Sequence, residues 1–127
     1  MTIACGSLCF TRRPFQRACA EIAELGFDTV DVAVMQGWAH FDASAMAENL
    51  DDAVAVAESA LLGNGLTAAA LNASAGTSDV SGEATRFRAI CGFAQALGVS
   101  VVTYVAPVAA VGLERAVRRY SRLLEIS

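Results

Sequence analysis

The sequence predicts a parallel α/β fold assembled from four strand–helix units. Three observations predict it. Short apolar runs alternate four times with longer stretches of helical spacing; three helix-to-strand joints share a glycine-centred sequence; and the strand segments carry one apolar set and one small or polar set. Such alternation implies parallel strands, because a parallel neighbour is reached only through a long crossover, usually a helix.

The first strand is expected over residues 2–8. The first helix follows from near Pro14, which a first turn tolerates because its missing N–H would be unpaired there anyway. Phe15, Ala18, Cys19, Ile22 and Ala23 recur at helical spacing as its inward stripe, with Gln16, Arg17, Glu21 and Glu24 opposite. The second strand, 29–34, leads into a long connection over 35–49 containing a short helical turn. A main helix over 50–62 follows, with Leu50, Ala53, Val54, Ala57 and Leu61 on its apolar side. The third strand, 67–71, gives way to a loop rich in Ser, Gly, Thr and Asp that ends at Ser81, whose hydroxyl suits an N-cap. Phe87, Ile90, Cys91, Ala94 and Leu97 face inward from the helix beyond it. The fourth strand spans 100–105. The fourth helix, 113–125, places Leu113, Ala116, Val117, Tyr120, Leu123 and Leu124 on one side and Arg and Glu on the other.

LGFDTVDVAV from Leu25, NGLTAAALNA from Asn64 and LGVSVVTYVA from Leu97 align without gaps on Gly26, Gly65 and Gly98. A residue just past a helix commonly takes the left-handed conformation, which glycine reaches without a Cβ clash. Five residues on from each glycine lie Asp31, Ala70 and Thr103; seven on lie Ala33, Asn72 and Val105. The positions between, including Val30, Val32 and Val102, are mostly apolar and should face the helices. A second sheet face that is small and polar fits a closed barrel better than a doubly wound sheet, whose two faces are both covered. Length points the other way: 127 residues suit a flavodoxin-like open sheet, whereas a (β/α)8 barrel needs about 250.

A net charge of -4, with nine arginines interleaved among thirteen acids, argues against a nucleic-acid partner. The Arg12-Arg13 and Arg118-Arg119 pairs read as solvated faces. No apolar run approaches the roughly 20 residues of a membrane span, and the amino terminus has no basic region ahead of its apolar run, so a cytoplasmic location is expected. Cys5, Cys9, Cys19 and Cys91 match no Cys-x-x-Cys spacing and read as buried, reduced thiols.

IACGSLCF at 3–10, EIAELGFDTVDVAV at 21–34, GWAH at 37–40 and NGLTAAALNA at 64–73 resemble the sugar-phosphate isomerase/epimerase group of xylose-isomerase-like TIM barrels. The likeness covers nearly the whole chain and is strongest in the Glu-Leu-Gly-Phe-Asp-x-Val-Asp-Val run. It implies the amino-terminal half of such a barrel: a (β/α)4 unit, one partial domain over 1–127, with parallel strands in the order 1-2-3-4 and helices on the outer face. In that family a divalent cation (manganese, magnesium, cobalt or zinc) is held by two glutamates, an aspartate and a histidine at the ends of later strands. It polarises the oxygens of a small sugar or sugar phosphate during isomerisation or epimerisation. None of those four ligands has a matching position here, so no cofactor and no catalysis are expected of this chain alone.

The resemblance makes the remaining residues one wall of a substrate pocket. Trp38 can stack on a sugar face or cap the barrel mouth by burying its ring, while His40 and Asn72 can hydrogen-bond sugar hydroxyls; the bland readings are a solvated or structural loop histidine and an asparagine that closes a turn. His40 could instead ligate a metal, as in the endonuclease branch of the same barrels, a reading that the acidic balance and the lack of a second loop histidine disfavour. Asp31, inward-facing, should have a structural partner. Phe10 and Tyr104 read as core, and Cys9 has no adjoining base to activate it. Two unpaired edge strands predict self-association. The alternative is a complete small flavodoxin-like or half-barrel domain that binds a ligand or partner without chemistry; strand order separates flavodoxin-like from barrel.

Overall fold

Gly26, Gly65 and Gly98 adopt φ of +88°, +66° and +68°, the left-handed turn expected at each helix-to-strand joint. The computed structural model describes residues 3–76, 82–105 and 112–126. The three glycines end α1 (Phe15–Glu24), α3 (Leu50–Gly63) and α4 (Glu83–Ala96) and lead into β2 (Thr29–Met35), β3 (Thr67–Ser74) and β4 (Val102–Tyr104). β1 is Cys5–Gly6, α2 is Ala43–Glu48 and α5 is Leu113–Leu124.

All neighbouring strands are parallel, in the order β1-β2-β3-β4. A flavodoxin-like sheet would place β1 between other strands; here it is an edge, so that alternative falls and the arrangement is that of a (β/α)4 half barrel. Asp31 lies beside Ala70 and Ala33 beside Asn72, as counting from the glycines gives. A bulge at Ala69 brings both Ala68 and Leu71 toward the core. β4 is displaced by two residues from that count, so Asn72 pairs with Thr103 rather than Val105. Strands of a barrel stagger as they tilt, and an even displacement leaves every side chain on its own face.

Val30, Val32 and Val34 are fully buried under the helices with Leu71 and Ala73; such burial contributes about 1.5–3 kcal/mol for each valine. From the helices come Phe15, Ala18, Cys19 and Ile22 of α1, Ala57 and Leu61 of α3, and Phe87, Ile90 and Ala94 of α4. Phe41 joins α1 to α4, its ring centroid 4.9 Å from that of Phe15 and 5.0 Å from that of Phe93.

Several expectations need correction. β1 has two residues because the chain turns at Ser7 into a 3-10 helix, Ser7–Phe10. β3 runs three residues beyond 71, which puts Asn72 inside the strand. On α5, Ala116 and Leu123 are buried but Val117 and Leu124 are 54% and 71% exposed; α5 touches the rest of the fold chiefly through the Glu83–Arg119 ion pair and the Tyr104–Tyr120 ring contact. Arg119 is not solvated, since its side chain is 13% exposed. Of the cysteines, all free, only Cys19 is buried and Cys9 is exposed; burial pushes the Cys19 thiol up to about 11. Thr2, Ser81 and the Leu113 side chain lie outside the described residues, and Gly82 holds the N-cap position of α4. No helix among the described residues is long and apolar enough to cross a membrane.

Candidate functional site at the carboxyl ends of the strands

β1 is too short to supply a ladder partner for every amide of β2, and a side chain takes over. The Ala33 N–H donates to Ser7 Oγ at 2.8 Å, and Ser7 is fully buried. The Ser7 carbonyl in turn accepts from His40 Nε2 at 2.9 Å. A carbonyl can only accept, so Nε2 carries the ring proton, and Nδ1 is left as a shielded acceptor without a donor. The His40 ring also stands 5.4 Å from that of Phe15. The structure thus places His40 in the first strand's loop network, tying the β1 and β2 ends together.

The loop between β2 and α2 is held by Asp42. Its carboxylate accepts from the N–H groups of Gly37 (2.7 Å), Ser44 (2.9 Å) and Ala45 (3.0 Å), capping α2. Burial alone would raise this carboxyl, but the hydrogen bonds from Ala45, Gly37, Ser44 and the Gln36 side chain outweigh it and hold it below its ordinary value. Gln36 Oε1 also accepts from Ser44 N–H at 3.0 Å, and its side chain lies against Gly76, where a Cβ would meet Gln36 Cγ at 2.9 Å. Trp38, at the tip of this loop, is 62% exposed: it does not bury its ring over the barrel mouth.

On the inner face, Asp31 and Asn72 sit one step apart diagonally on adjacent strands. Asp31 Oδ1 and Asn72 Oδ1 are both shielded and have no hydrogen-bond partner. This overturns the expectation of a partner for that Asp31 oxygen. Desolvation raises the Asp31 carboxyl above its ordinary value. Two unpaired acceptors side by side call for donors: sugar hydroxyls, guanidinium or ammonium groups can supply them.

Behind the sheet lies a polar cluster that sequence reasoning missed. Glu83, 3% exposed, forms an ion pair with Arg119 and accepts from Tyr104 Oη at 3.1 Å. Arg86 Nε donates to the Ala75 carbonyl at 2.7 Å, fixing the end of β3. Burial first, then the Glu83 carboxylate, raises the Tyr104 phenol, so it stays a donor. Arg119 falls three residues after Ala116 and four before Leu123, the positions of the buried stripe; that spacing was its signal.

No protein-family model matches the chain, and no curated protein does. The site therefore rests on its own geometry. Among the described residues no three His, Cys, Asp or Glu side chains converge to hold a metal ion. The described residues do not fit the divalent-cation site that the resemblance implies.

Proposed function

We propose that this chain is the amino-terminal, substrate-facing half of a sugar or sugar-phosphate isomerase or epimerase barrel. On this reading the chain is inactive by itself and meets its metal-bearing half through its free edges. The observation that carries the reading is the inner face of the 1-2-3-4 sheet, where Asp31 and Asn72 present unpaired oxygens while helices cover the other face. A polyol is rich in hydroxyl donors and satisfies two acceptors that an anion would repel. Trp38 stands exposed in the loop after β2, where active sites of this architecture form, and there it stacks on a sugar ring. His40 orients the loop through Ser7. The cytoplasm is the compartment proposed, consistent with four free cysteines.

Trp38 is the single tryptophan, so its fluorescence reports the loop directly. Titration with ketoses, aldoses and their phosphates should change the emission saturably, and Asn72→Ala should weaken the response. A flat titration across the panel overturns the sugar reading. Turnover of any of these sugars by the isolated chain with manganese would overturn the claim of inactivity.

A further inference from the structure

We propose that the cleft between α4 and α5, on the helical side of the sheet, binds a small phosphorylated anion carrying two phosphoryl groups. Arg115, Arg118, Arg119 and Arg122 line it above a floor of Leu123 and Ile126, and its volume is about 460 Å³. Four guanidiniums thus face the lone carboxylate of Glu83, in a chain whose net charge is -4. Residues 115, 119 and 122 lie about one and two turns apart on one side of the helix, so their heads spread along about 10 Å.

The charges are unevenly compensated. Glu83 takes Arg119, and Glu114 reaches Arg118 at 3.5 Å. Among the described residues Arg115 and Arg122 have neither an ion-pair nor a hydrogen-bond partner, and Arg119 Nη2 is shielded without an acceptor. Empty, the cleft holds like charges in a row, which is unfavourable. Phosphoryl oxygens correct this, because the planar guanidinium fork of the exposed arginines matches them with paired hydrogen bonds. A 10 Å row exceeds what one phosphoryl group spans, which favours two. The cleft is open to solvent along its exposed arginines and its volume suits a small ligand, while the apolar floor takes its carbon skeleton. No inner-face residue lines the cleft, so this site stands or falls independently of the barrel reading.

The test is thermal melting of the 127-residue chain with inorganic pyrophosphate and with a hexose bisphosphate, against sodium chloride at matched ionic strength. At about ten times Kd, each should raise Tm by about 5 °C beyond the salt control. Arg115→Ala/Arg122→Ala should remove the shift while the circular dichroism spectrum is retained; Arg122→Lys, which keeps the charge but loses the fork, should weaken binding several-fold. Phosphorus NMR line broadening of pyrophosphate gives a readout that does not depend on melting. A shift no larger than the salt control, or one that survives the double substitution, overturns the proposal. An equal response to succinate or polyglutamate overturns it in favour of a general acidic partner.

Discussion

Ser7 shows how much one hydroxyl decides. It accepts the Ala33 N–H at a point where β1 has left the ladder, so Ser7→Ala strands a buried amide and should cost about 1–3 kcal/mol in urea unfolding. Asp31 gives a pH signature. Burial raises its carboxyl above the ordinary 3.8, so the folded protein keeps the proton longer than the unfolded chain does. Its charged form therefore opposes folding: the penalty is absent below the ordinary value and complete once pH has risen past the folded one. Asp31→Asn should melt higher than the parent at pH 7, with the gap closing as pH falls toward the ordinary 3.8; a gap constant with pH would contradict this. Both residues illustrate what the sequence withheld. The contact of Ser7 is 26 residues away, and nothing local announces it. Asp31 was legible as inward-facing from its spacing to Gly26, but its unpaired oxygen reflects which side chains fail to reach it.

Among the elements, α5 depends most on a single polar contact. Glu83 anchors Arg119 and Tyr104, both partly buried. Glu83→Ala leaves a shielded guanidinium uncompensated and should cost about 3–5 kcal/mol, whereas the double change Glu83→Leu/Arg119→Met should recover most of that loss in chemical denaturation. Helices α1, α3 and α4 were readable because an apolar stripe and a terminal glycine mark them twice over. β1 and β4 were overextended: apolar residues continue past the last ladder pair, and composition cannot tell where pairing stops. The boundary of β3 erred in the opposite sense because Asn72, which looks like a turn former, pairs within the sheet with Ala33 and Thr103. The arginine doublet at 118–119 misled in the same manner, since adjacent residues on a helix point 100° apart and only one of the pair meets the core.

For the molecule as a whole, the order of strands and the separation of faces followed from the repeat, because glycine spacing and side-chain alternation are properties of the chain itself. What covers the open edges and inner face did not. Ile3, Val101 and Val105 flank the two edge strands and are 63%, 54% and 49% exposed, and Val117 of α5 is 54% exposed. This apolar rim predicts association at micromolar concentration. Sedimentation velocity should show species above the monomer, and Val105→Lys should shift them toward the monomer by charging the β4 edge; a parent that stays monomeric at every concentration would count against it.

The brevity of β1 bears on where that association ends. Fibril growth needs a long run of free amides onto which each arriving strand can be templated. Cys5–Gly6 offers two residues before the backbone coils away at Ser7. That edge acts as a terminator, so the protein should stop at small discrete assemblies and fail to seed thioflavin-positive fibres, even at concentrations where its β4 side is crowded with partners.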